Sequence, residues 1–163
     1  MNYSYRKFEA QDFQELFKIF LKFQEKTKIE TFFNLTNGQS PSFIELYLRN
    51  ELKQIINKSK TYVGLCNGEI FGFACFCDSQ IRSDGLDLLI VCKDPSKRFN
   101  LRMKKLLLEI FDDVKNSSEK QTILCALGPR AKFDSYKRFV AKMFNISIIR
   151  KNQLKKTIIK FND

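Results

Sequence analysis

Histidine and tryptophan are absent from this 163-residue chain. Without histidine there is no commonest general base, and no serine–histidine or cysteine–histidine nucleophile can be assembled. A zinc site is equally ill supplied. The five cysteines, Cys66, Cys75, Cys77, Cys92 and Cys125, are odd in number and include no Cys-x-x-Cys pair. They read as reduced core thiols, and no metal is expected. No apolar run is long enough to cross a membrane, and the N-terminus lacks the apolar core of a signal peptide. A cytoplasmic protein without membrane contact is therefore expected.

What is present is an ordinary globular balance, 44% apolar and 29% charged, which argues against disorder. Residues 1–163 suit a single domain, large enough to bury its core without staples. The net charge of +11 is unevenly placed. Residues 1–92 hold 11 basic and 11 acidic side chains, whereas residues 93–163 hold 18 and 7. Charge of this kind speaks to partners rather than fold. A polyphosphate cofactor, nucleic acid or an acidic protein would each suit it.

The chain reads in order as follows. Tyr3 to Glu9 is an edge strand. Asp12 is positioned as a cap for a helix carrying Phe13, Leu16, Phe17, Phe20 and Phe23 at helical spacing. Thr31 to Ser42 is a loop, and Ser40 or Ser42 caps a second helix carrying Leu46, Tyr47, Leu52, Ile55 and Ile56. Thr61–Cys66 and Glu69–Asp78 form a hairpin about Asn67-Gly68, both of which tolerate positive φ. Ser79 to Gly85 is a polar turn.

Leu88 to Cys92 is a short apolar run, as expected of a strand covered on both faces. Met103, Leu106, Leu107, Ile110, Phe111 and Val114 then mark one face of a helix over 101–115. Between them lies a proline-broken turn in which Lys97, Arg98 and Arg102 crowd the helix start. Cations are unfavourable at that end of the helix dipole unless an anion binds there. The plainer alternative is a basic turn on a basic protein. Asn116-Ser117-Ser118 breaks the helix, Gln121–Leu127 is the next strand, and Phe133, Tyr136, Val140 and Met143 mark a further helix. Ile146–Ile149 and Gln153–Phe161 close the chain as a hairpin about Lys151-Asn152. The resulting class is α/β, a central mixed sheet flanked by about four helices.

The sequence resembles the GCN5-related N-acetyltransferase (GNAT) superfamily over nearly its whole length. Gly68-Glu69-Ile70-Phe71-Gly72-Phe73 fits the family's hairpin, and the stretch 98–103 falls on its Arg/Gln-x-x-Gly-x-Gly/Ala turn. The resemblance implies a single GNAT-like domain and acetyl-coenzyme A as cofactor. It places Ile90, Val91 and Cys92 along the pantetheine arm, and Arg98, Phe99, Asn100, Leu101, Arg102 and Met103 at the pyrophosphate. Arg98 matches the pattern. Leu101 and Met103 stand where the family has glycine, so the turn is a degenerate one. Glycine serves where backbone closely approaches a ligand, which makes Leu101 a candidate obstruction. The resemblance also implies Tyr136 as general acid for the leaving thiolate. Asp87 is a candidate base, though a turn aspartate capping Gly85 is the simpler reading of it.

Two functions follow. One is an acetyl-coenzyme A-dependent N-acyltransferase whose amine acceptor is a small molecule, a protein or an aminoacyl-tRNA. The other is a catalytically inactive GNAT-fold module whose basic residues 93–163 contact nucleic acid or an acidic protein, including within a viral particle.

Overall fold

Asn67 and Gly68 both take positive φ, 53° and 86°. That is the geometry of a two-residue hairpin turn, so β2 (Lys60–Cys66) and β3 (Glu69–Asp78) run antiparallel. The computed structural model describes residues 1–27, 39–127, 146–151 and 157–161. Strand β1 (Tyr3–Lys7) lies at the sheet edge, antiparallel to β2 from Tyr3↔Cys66 to Lys7↔Tyr62. It ends before the expected Glu9 because Glu9 opens the short 3-10 turn Ala10–Asp12.

Strand β4 (Gly85–Lys93) starts two residues earlier than Asp87. The Ser79 amide donates to the Gly85 carbonyl at 3.0 Å and the Asp94 amide to the Phe71 carbonyl at 2.7 Å. Tying opposite ends of β3 and β4 in this way fixes them as antiparallel. The expectation that β4 is covered on both faces fails at Leu89 and Val91, which are 39% and 40% exposed. Ile90 and Cys92 alternate with them and pack into the core.

β5 (Thr122–Leu127) pairs parallel with β4, Gly85↔Thr122 through Leu88↔Cys125. A parallel pair needs a long connection, and α3 (Leu101–Ser118) provides it. The serines 117 and 118 do not break this helix. It stops at Glu119, a non-glycine residue at φ 54°, where the Lys120 amide reaches back to the Lys115 carbonyl at 2.9 Å in a Schellman closure. β7 (Thr157–Phe161) lies antiparallel to both β5 and β6 (Ile146–Lys151), so Lys151 belongs to a strand rather than to the turn. The sheet order is β1-β2-β3-β4-β5-β7-β6, a mixed sheet. The expected helix carrying Tyr136 lies outside the described residues.

By its contacts the chain divides into two compact units, Met1–Cys75 with Ile90–Leu106, and Phe76–Leu89 with Leu107–Asp163. The core of the first is built from Leu16, Phe17, Ile19 and Phe20 of α1 (Phe13–Thr27), Leu48, Leu52 and Ile56 of α2 (Pro41–Asn57), and Val63, Phe73, Cys75 and Cys92 of the strands. Helix α2 is capped by Ser40, whose Oγ accepts from the Phe43 amide at 3.3 Å, with Pro41 at the first turn. In the second unit Phe76 meets Phe111 edge-on, 5.8 Å between centroids, among buried Leu86, Ile110, Val114 and Ile123.

Asp12 does not cap α1 directly. Its carboxylate closes the 3-10 turn, accepting from the Glu9 amide at 2.8 Å, and receives a fork from Arg6 at 2.7 and 2.8 Å. The Arg6 hydrogen bond holds this buried carboxyl below the usual carboxylate range; desolvation opposes, and the Glu9 amide helps. Its contribution to stability is therefore complete above the unfolded value, near pH ~4, and is lost as pH falls through the lower folded value. Asp12→Asn should cost about 1.5–3 kcal/mol at neutral pH, the scale of a charged hydrogen bond. Urea unfolding of both proteins at neutral and at strongly acid pH checks this, since the difference should shrink in acid. A difference independent of pH would mean that the carboxylate charge is not what matters.

Candidate functional site

The end of β4, the turn after it and the start of α3 all lie within the first unit. Asp94 begins the turn. Its Oδ1 accepts from the Ser96 amide at 2.9 Å and from the Ser96 hydroxyl at 2.7 Å, an Asx turn around Pro95. Those bonds, led by the Ser96 hydroxyl, pull its carboxyl below the ordinary range despite partial burial, with Lys22 and Lys97 adding to the effect. Lys22 of α1 lies 3.7 Å from Oδ2. Lys93 reaches along the same turn, its ammonium donating to the carbonyls of Asp94 and Lys97. Both ends of the turn are thus held by side chains rather than by glycine geometry.

Asn100 caps α3. Its Oδ1 accepts from the Met103 amide at 3.0 Å, and its own carbonyl accepts from the Lys104 amide at 3.0 Å. The earlier amides fare differently. Ser96 and Lys97 donate within the turn, but among the described residues the amides of Arg98, Phe99, Asn100, Leu101 and Arg102 have no protein acceptor. Five consecutive backbone donors meet the positive end of an 18-residue helix whose first turn holds no acidic residue. Unpaired amides at a helix start suit an anion, so the donor chemistry of these residues is compatible with a pyrophosphate-bearing cofactor.

The side chains sort as follows. Leu101 faces solvent at 78% exposure and so does not fill the turn. Met103 is buried at 4%, and with its amide committed to Asn100 it serves the core. Arg98 is exposed and, among the described residues, engages no partner. Arg102 donates to the Met1 carbonyl at 2.6 Å. Cys92 is buried with its thiol 3.9 Å from the Ile19 carbonyl, and burial pushes that thiol up strongly. Ile90 is half-buried against the core, while the neighbouring Val91 is exposed.

Asp87 is the third residue of β4, half-buried in the second unit. It does not cap Gly85, whose amide donates to the Arg82 carbonyl at 3.1 Å. Burial raises the Cys77 thiol, and the charges of Asp87 and Asp78 raise it further. Cys75 is pushed up to about 11, chiefly by burial. These thiols stay protonated at neutral pH and are poor nucleophiles, in keeping with their sequence context. Cys66, Cys75, Cys77 and Cys92 are free, and among the described residues no group of His, Cys, Asp or Glu could hold a metal. No described helix is long and apolar enough to cross a membrane. Tyr136 lies outside the described residues.

Sequence reasoning singled out the turn but missed Lys93, Asp94 and Tyr3 as its supports. The Asp-Pro-Ser string is itself an Asx-turn signal. Asn100 three residues before Met103 fits the spacing of an N-cap. Nothing local announces Tyr3, which is 97 residues away from the Asn100 it touches.

The β–α–α–β–β–β–α–β order, with β4 and β5 parallel through α3, is shared with solved GNAT-family acetyltransferases, and the chain has their fold. Among solved structures, the PaiA N-acetyltransferase of Thermoplasma acidophilum, in complex with coenzyme A, matches at a TM-score of 0.68 and 14% identity, over 98% of each chain. A GNAT-family acetyltransferase of Staphylococcus aureus matches at 0.64 and 16%, again over 98% of each. The ribosomal-protein-S18-alanine N-acetyltransferase of Escherichia coli matches at 0.62 and 12%, over 98% of this chain and 93% of that one. No family model and no curated protein matches the sequence. At identities this low the likeness carries the fold.

Proposed function

We propose that this chain is an N-acyltransferase that takes acetyl-coenzyme A and acylates an amine. The observation that carries the reading is the run of five amides, Arg98 to Arg102, without protein acceptors at the start of α3. Coenzyme A bound to a structural neighbour of the same fold supports it. The amides of Arg98–Arg102 hold the phosphates, with the Arg98 guanidinium adding charge. The β4 backbone at Ile90, Val91 and Cys92 lines the pantetheine arm. Acetyl-coenzyme A supplies a thioester carbonyl that an amine attacks directly. The chain then has mainly to bind and orient, which is why the absence of histidine is tolerable.

Tyr136 is the proposed proton donor to the leaving thiolate, since a phenol with pKa ~10 is protonated at neutral pH. Asp87 is the proposed acceptor of the amine proton. Tyr136→Phe should lower kcat while leaving cofactor affinity nearly unchanged, because it removes an interaction made only as the thiolate departs. Steady-state kinetics with a dissociation constant measured in parallel checks this, and an unchanged kcat would remove Tyr136 from the chemistry.

The reading as a whole is tested by calorimetric titration with acetyl-coenzyme A and coenzyme A. Saturable binding in the micromolar range supports it. Absence of binding at millimolar cofactor, with salt-sensitive binding to nucleic acid or an acidic protein, would replace it by a non-catalytic module.

A further inference from the structure

The start of α3 is held not only by its own turn but by β1. The Asn100 side chain is an amide with two unlike ends. Its Oδ1 faces the Met103 N–H at 3.0 Å, and its Nδ2 donates to the Tyr3 hydroxyl oxygen at 3.1 Å. Turning that amide over would set an NH2 group against the Met103 N–H, donor to donor. Tyr3 opposes that rotation because its hydroxyl donates its proton to Met1 Sδ at 3.9 Å, which leaves its oxygen as an acceptor for the NH2 and no proton for a turned Oδ1.

Tyr3 is itself held by both its backbone and its ring. It pairs with Cys66 in the β1–β2 ladder, and its ring meets Phe71 edge-on at 5.6 Å and 85°. Next to it, Asn2 is clamped by Asn67. The Asn2 amide donates to Asn67 Oδ1 at 2.8 Å, and the Asn67 amide donates to the Asn2 carbonyl at 2.8 Å. The hairpin turn therefore anchors the strand end that carries Tyr3. Asn67 takes part in the same clamp through its positive-φ geometry.

We infer that Tyr3 is a positioning residue for the acyl-donor turn, acting through Asn100. With Oδ1 locked on Met103, the cap consumes the amide at the third helical position and no other. The amides of Leu101 and Arg102 remain for phosphate. In a turn that lacks glycine at 101 and 103, this side-chain relay does the work of setting where the backbone donors end and the helix begins. The inference rests on the acyltransferase reading only for its ligand; the relay itself belongs to the fold.

The test uses the full chain carrying Tyr3→Phe, which keeps the ring against Phe71 and removes only the hydroxyl. The Met103 amide should exchange with solvent several-fold faster by NMR. The KM for acetyl-coenzyme A should rise about 3- to 10-fold, the scale of one net hydrogen bond, with kcat unchanged. The melting temperature should hold. Tyr3→Phe with Asn100→Ser should return Met103 exchange toward the wild-type rate, because a serine hydroxyl caps the helix and has no wrong end to turn. Unchanged Met103 exchange in Tyr3→Phe overturns the relay whatever the kinetics do. Unchanged KM beside faster exchange overturns the role in donor binding. If neither protein binds acetyl-coenzyme A but exchange accelerates and is rescued, the relay stands and the acyltransferase reading falls.

Discussion

Arg98→Ala should weaken acetyl-coenzyme A binding by roughly 1.5–3 kcal/mol, about 10- to 150-fold in dissociation constant, with no loss of thermal stability. The two halves of this expectation have one cause. Arg98 is exposed and, among the described residues, has no partner in the fold, so its guanidinium is free for a phosphate and its removal leaves nothing buried unpaired. The neighbouring positions should respond differently although both depart from glycine. Leu101→Gly should change binding little, since that side chain already faces solvent. Met103→Gly should cost about 2–4 kcal/mol of stability by opening a cavity under α3. Titration calorimetry and melting curves on the three variants decide the matter. Equal losses of affinity at Arg98 and Leu101 would mean that the turn itself, not its charge, is the binding element.

Gly72→Ala should be the most damaging single methyl group in the first unit. A Cβ at Gly72 would lie 2.6 Å from the Cys92 carbonyl oxygen and 3.1 Å from the Lys93 Cα, both backbone atoms that cannot swing away. β4 would have to shift just where the Asp94 amide hangs from the Phe71 carbonyl at 2.7 Å and the candidate turn begins. Overpacking of this kind costs about 1–3 kcal/mol, with roughly 2–4 °C of melting temperature for each kcal/mol in a chain of this size. Cofactor affinity should fall along with stability. An alanine variant that melts like the wild type would show that β4 yields without cost, and that Gly72 is there for some other reason.

Much of this was readable in the residues. Asn67-Gly68 announced the hairpin because positive φ at two consecutive positions is a local demand. The helices α1 and α3 were visible from the spacing of Leu16, Phe17 and Phe20 and of Met103, Leu106, Ile110 and Val114, all buried in the structure. Gly72 was readable only as part of a motif; its reason, contact with the β4 backbone, is tertiary. Asp12 was misread because N-cap and ion-pair partner look alike in sequence, and only the approach of Arg6 chose between them. Leu88–Cys92 was misread because an apolar run does not say whether both faces find cover.

The sequence by itself determined the order of the described elements, the hairpin, the basic turn and the chemistry denied by a chain without histidine. These follow from local dihedral preference, side-chain periodicity and composition, which act over a few residues. The tertiary structure decided which amides stay without acceptors, that Leu101 turns outward while Met103 turns inward, and that Tyr3 orients Asn100. Those outcomes depend on hydrogen bonds and packing between residues far apart in the chain, and a donor or a side chain has no assigned partner until the sheet and helices have brought those partners into place.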